Sequence, residues 1–192
     1  MRLRLRSAVY VRVFGLLLIW LLTAPLFAVS LEDLRNDPKL TPQRFASYFS
    51  NFRFEFHADV QDSKVFLATQ SGDCDDYAIL ASEVLKTKGY TPHLIAIRMH
   101  GVVHVVCYID EVHAYLDYNV RNCLSRTVSS DGTIPDIARK VANSFDSAWT
   151  TASEFTFEDG SKRLVTTSVH RELFANALRR TTILSKLTTA SN

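Results

Sequence analysis

Cysteine is scarce in this chain, with three in 192 residues. An odd count in a chain this long excludes a small disulfide-stapled scaffold. Only five prolines and six glycines are present, and charged residues make up 22%. These values exclude a collagen-like repeat and a low-complexity disordered chain. There is no internal repeat and no Pro/Gly-rich linker. Charge of one sign is also lacking: 22 Lys+Arg stand against 20 Asp+Glu, a net charge of +2. That excess is too small for a nucleic-acid binder. What remains is 47% hydrophobic and 11% aromatic residues, enough for one domain with a sizeable core and too little for two large ones.

Acid is missing from the start of the chain, where the first acidic residue is Glu32. Arg2, Arg4, Arg6 and Arg12 precede an apolar run, Val13–Leu22, and small residues follow around Ala28 and Ser30. This three-part pattern predicts a signal peptide over residues 1–30, cleaved after Ser30 or after Ala28. The alternative is an uncleaved anchor, since Val9–Val29 approaches the length of a bilayer span. Either form predicts an exported, periplasmic or secreted protein whose membrane contact, if any, is through that segment. Removing four arginines leaves 18 basic and 20 acidic residues, so +2 becomes −2. The basic character belongs to the targeting segment, and neither nucleic acid nor an anionic membrane surface is implied as a partner.

Residues 31–192 read as one α+β domain. Thr41-Pro42 predicts a capped helix to about Phe49. Alternation through Phe52, Phe54 and Phe56 suggests a short strand, and Asp62-Ser63 a helical turn. The clearest helix runs from Cys74 to about Thr87, capped by Ser71 or Asp73 and stopped by Gly89. Tyr77, Ala78, Ala81, Val84 and Leu85 form its apolar stripe. Three strands follow, His93–Met99, Val102–Ile109 and Val112–Tyr118, with His100-Gly101 and Asp110-Glu111 as turns. Beyond Asn122 the pattern suggests a helix over Asp136–Trp149, a hairpin about Asp159-Gly160 within Glu154–Val169, and a helix over Arg171–Leu187.

The segment Gly72-Asp73-Cys74-Asp75-Asp76-Tyr77 puts a thiol at the start of the clear helix. Free N–H groups and the helix dipole there favour a thiolate and an oxyanion. If Asp110-Glu111 is the turn, His104 lies directly opposite Asp117, on the face that also carries Val106 and Tyr108. The other face, with Val105, Cys107 and Ile109, is core, which makes Cys107 a buried structural thiol. Cys74, His104 and Asp117 then compose a nucleophile, a base and an orienting carboxylate. Attack on an amide or ester would give a thioester, resolved by water or by an amine.

At Gly72-Asp73-Cys74-Asp75-Asp76-Tyr77-Ala78, Gly89-Tyr90, His104 and Leu116-Asp117 the chain resembles the transglutaminase-like superfamily, a branch of the papain-like thiol enzymes. Within it the sequence looks most like the bacterial transglutaminase-like cysteine proteases. The resemblance covers a core of residues 59–122 and leaves 123–192 as a C-terminal extension. It implies a catalytic triad of Cys74, His104 and Asp117, and Gln70 in the position of an oxyanion donor. The tryptophan that many members carry soon after the histidine is missing, with Val105 and Val106 in its place. The implied function is a cysteine peptidase acting on an envelope or secreted protein. A transamidase and a non-catalytic binding module that keeps the fold are the alternatives. Asp73, Asp75 and Asp76 beside the thiol oppose thiolate formation. Helix capping explains them without a cofactor, and calcium near Asp73 and Asp75 is the other explanation.

Overall fold

The computed structural model describes residues 29–124 and 126–170. The signal-peptide reading of residues 1–28 and the helix expected over 171–187 lie outside the described residues. Three short helices open the fold: α1 (Leu31–Asn36), α2 (Pro42–Ser47) and α3 (Ser63–Thr69). Ser30 caps α1 through a reciprocal bond with Asp33, and Thr41 caps α2 with Pro42 at the first helical position. Strands β1 (Arg53–Phe54) and β2 (Ser71–Gly72) form a small parallel pair. Their hydrogen bonds, Arg53 N–H to the Gln70 carbonyl and Glu55 N–H to the Gly72 carbonyl, are both 2.9 Å.

Helix α4 (Cys74–Lys86) starts where the sequence predicts. Asp73, not Ser71, is its cap, and the Asp76 carboxylate returns a bond to the Asp73 N–H at 3.1 Å. This reciprocal arrangement satisfies N–H groups that a helix start otherwise leaves bare. Gly89, at φ +82, ends the turn that follows, a conformation in which a side chain would be strained. All five residues of the expected stripe are fully buried, but so is Leu80, and Ile79 nearly so. The apolar face is wider than one stripe because α2 and α3 cover the side turned away from the sheet.

The main sheet has six antiparallel strands in the order β6-β5-β4-β3-β7-β8. They are β3 (Pro92–Met99), β4 (Val102–Ile109), β5 (Ala114–Leu116), β6 (Val128–Ser129), β7 (Trp149–Glu158) and β8 (Ser161–Val169). Helix α4 packs on one face against β3 and β4. Helix α5 (Ile134–Ser144) covers the other, burying Ile137, Ala138 and Val141 against Ile95, Ile97, Val106 and Tyr115. The expected α+β class holds, with a helical layer on each side of the sheet.

The first core is aromatic. Phe45, Phe49, Phe66, Tyr77 and Tyr118 are buried together, with centroid distances such as 4.7 Å for Phe45–Phe49 and 5.4 Å for Tyr77–Tyr118. It therefore reaches back to Leu34 and Phe45, well before residue 59. Arg121 locks it from the edge. Its guanidinium lies 3.7 Å from the Tyr118 ring and donates to the backbone carbonyls of Phe49, Phe52 and Tyr118.

Two expectations from the sequence need correction. The helix expected over Asp136–Trp149 is Ile134–Ser144, because Asp146 takes a left-handed conformation and Trp149 already belongs to β7. The turn after β4 is longer than Asp110-Glu111. Asp110–Val112 form a 3-10 turn closed by left-handed His113, and Ile109 pairs with Ala114. Pairing is therefore displaced by two residues. An even displacement leaves every side chain on its expected face, so Cys107 is buried in the α4 core as expected.

Candidate active site

Cys74 is the first residue of α4, and the loop before it is held from several directions. The β1–β2 pair fixes Gly72, and the His57 N–H donates to Asp73 Oδ2 at 3.1 Å. Gln61 grips Asp76 through its backbone N–H and its side-chain Nε2, each at 2.7 Å. Gly72 is needed for this closeness. A Cβ there would lie 2.6 Å from Asp76 Oδ2 and from the Phe66 ring.

His104 lies near the start of β4 and Asp117 just beyond β5, both almost completely buried. His104 Nε2 is 2.8 Å from Asp117 Oδ1. With the observed register they are diagonal neighbours rather than directly opposed, and their side chains span the diagonal. Asp117 Oδ1 also accepts from the Asn119 N–H at 2.8 Å, which fixes the carboxylate. The Cys74 thiol is within hydrogen-bonding reach of the same imidazole. Burial disfavours a charge on His104, but the bonds to Asp117 and Cys74 outweigh it and push the imidazole up to about 10. The structure thus brings Cys74, His104 and Asp117 together.

Gln70 is placed differently. It ends α3 in the left-handed conformation at φ 51, its carbonyl is taken by the Arg53 N–H, and it does not line the cleft at Cys74. The start of α4 is then the feature beside the thiol that can stabilise an oxyanion.

Cys74 and His104 open into a cleft of about 600 Å³. One wall is apolar, with Phe54, Phe56, Val102 and Val103 all substantially exposed. Phe145, at the end of α5, lies with its ring centroid 4.9 Å from that of His104. An aromatic group against the imidazole was not legible near His104 in the sequence, because it comes from the end of α5, far along the chain. Asn119 and Lys162 also line the cleft. No local pattern could have found Lys162, which is brought in by the β7–β8 hairpin. A second cavity, of about 480 Å³, contains no cysteine or histidine in its lining.

Asp73, Asp75 and Asp76 present carboxylate oxygens within 4.8 Å of one another. Burial, with the Asp75 carboxylate alongside, pushes Asp73 up to about 7. Burial also works against Asp75, but its bonds to Asp73 and Lys162 hold it below the usual carboxylate range. An all-oxygen set is the right chemistry for calcium, and Asp75 Oδ1 is buried without a hydrogen-bond partner. The other oxygens are engaged. Both of Asp73 accept backbone N–H groups, both of Asp76 accept from Gln61, and Asp75 Oδ2 is 2.6 Å from the Lys162 ammonium. One free oxygen beside a fixed cation does not meet calcium's demand for six to eight ligands.

No curated protein matches the chain. Two similar solved structures are both of LapG from Legionella pneumophila. The calcium-bound form is 17% identical over 70% of this chain and 74% of that one, with a TM-score of 0.42. The EGTA-treated form is 15% identical over 74% and 78%, with a TM-score of 0.43. A family model described as a transglutaminase-like domain matches residues 36–122. That span contains Cys74, His104 and Asp117, so the part of the chain that is similar to the transglutaminase-like family is the part that carries the candidate site.

Proposed function

We propose that the protein is an exported cysteine peptidase that cleaves an envelope or secreted protein. The supporting observation is the buried His104–Asp117 pair at 2.8 Å with the Cys74 thiol in reach, at the floor of an open cleft. His104 takes the proton of Cys74, and Sγ attacks the carbonyl carbon of the scissile amide. The start of α4 stabilises the oxyanion. When the C–N bond breaks, His104 returns the proton to the departing amine, leaving a thioester on Cys74. Water then attacks the thioester carbonyl, giving its proton to His104, and the carboxylic acid leaves as the thiol reforms. Asp117 keeps the ring oriented and stabilises its charged form throughout. The apolar wall of Phe54, Phe56, Val102 and Val103 suits a polypeptide with apolar side chains beside the scissile bond.

The test is iodoacetamide labelling of the protein lacking residues 1–28 across pH, in wild type, Cys74→Ser and His104→Ala. Wild type should label at Cys74 well below pH 8, and His104→Ala should lose that advantage. A Cys74 that reacts only as an ordinary thiol of pKa about 8.5 would remove the basis of the proposal.

A further inference from the structure

We infer that Lys162 is the resident cation of the acidic trio beside Cys74, taking the place that a divalent ion would otherwise occupy. Its ammonium is 2.6 Å from Asp75 Oδ2 and lines the same cleft as Cys74 and His104. It comes from 87 residues further along the chain. The hairpin that delivers it lies outside the matched segment 36–122, which gives that extension a task at the active site. Asp159 and Gly160, both at positive φ, close the hairpin in two residues, and Lys162 pairs with Phe157 in the next-to-last rung. The Phe155 ring, 5.8 Å from the ammonium, gives it a second contact, at the edge of useful cation–π range.

Charge explains why a cation is needed there. Three carboxylates crowd the start of one helix next to a sulfur that must carry negative charge during the reaction. The capping bonds offset part of this, but Asp73 and Asp76 spend their oxygens on neutral donors. Asp75 is the one acid of the trio paired with a full positive charge. The same ammonium excludes a divalent ion, which would have to share Asp75 with it at contact distance. Lys162 touches neither substrate nor the reacting atoms in this scheme, so it is a positioning residue.

The inference rests on the proposed role of Cys74 for one readout and on cation binding alone for the other. Labelling of Cys74 at pH 7 is measured in EGTA and in 1 mM calcium chloride, for wild type, Lys162→Met and Lys162→Arg. Calorimetric titration with calcium is run on the same proteins. Wild type and Lys162→Arg should label equally fast with and without calcium and take up none. Lys162→Met should label about tenfold more slowly in EGTA, the effect of one lost neighbouring charge, and recover in calcium, which the two freed Asp75 oxygens then hold with water completing its shell. Wild type that binds calcium or stops labelling in EGTA overturns the inference, as does Lys162→Met labelling at the wild-type rate in EGTA. A slow Lys162→Arg overturns it as well. If Lys162→Met does not fold, the same comparison is made in Asp75→Asn, where the added Lys162→Met change should have no further effect on labelling. An unreactive wild-type Cys74 would count against the peptidase proposal, and the calorimetry would still decide the role of Lys162.

Discussion

Replacing Asp117 by asparagine removes one charge and almost no volume from a site that excludes water. Asp117 is 1% exposed and His104 is 4% exposed, and one 2.8 Å contact joins them. Asn retains an acceptor for the Asn119 N–H, so the loss is confined to the charge facing the imidazole. A hydrogen bond to a charged group contributes roughly 1.5–3 kcal/mol, measurable against a typical domain stability of about 5–15 kcal/mol. The pH dependence has a definite sign. His104 has its ordinary value near 6.5 in the unfolded chain and about 10 in the fold. Its pairing therefore stabilises fully below about pH 6.5 and fades as pH rises through about 10. Urea unfolding of wild type and Asp117→Asn should differ by roughly 1.5–3 kcal/mol at pH 6, and by about 0.5 kcal/mol or less at pH 10. Turnover on a peptide substrate should fall by about a hundredfold or more, as when a general acid–base is disabled. A stability difference that is the same at both pH values, or larger at pH 10, would refute the charged-pair account.

Two further outcomes follow from the packing. Arg121→Lys should lower stability by about 1–3 kcal/mol, since a single ammonium cannot serve three carbonyls and stack on Tyr118. Thermal melting reads this as a fall of roughly 2–12 °C, at about 2–4 °C per kcal/mol for a domain of this size, and an unchanged melting temperature would show that the guanidinium contacts contribute nothing. If the protein is exported as proposed, cleavage after Ala28 keeps the Ser30 cap of α1, which accepts from the Asp33 N–H at 3.1 Å. Such a cap contributes about 1 kcal/mol. N-terminal sequencing of the exported protein should begin at Val29, and a start at Leu31 would mean that α1 forms without its cap.

Local rules settled much of this protein in advance. The run of acids, the thiol and the stop at Gly89 fix α4 to within one residue of its observed end, because capping and dipole effects act over a single turn. Alternation of side chains placed Cys107 in the core and His104 on the opposite face, and that survives a two-residue error in register because a strand has period two. The turn itself was misjudged because left-handed His113 follows from closing the hairpin under the sheet's twist, which Asp110-Glu111 does not announce. Gln70 sits four residues before Cys74, near enough in sequence to suggest an oxyanion donor, yet the end of α3 claims it for a left-handed turn. What tertiary structure alone decided are contacts over long separations. Phe145 reaches His104 from the end of α5, and Lys162 reaches Asp75 from a hairpin on the far edge. The sequence by itself determined which groups could react and on which faces they lie, since those depend on neighbours within a turn or a rung. Which charge balances the acids beside Cys74 depends on how strand order folds the chain back, and no pattern along the sequence carries that distance.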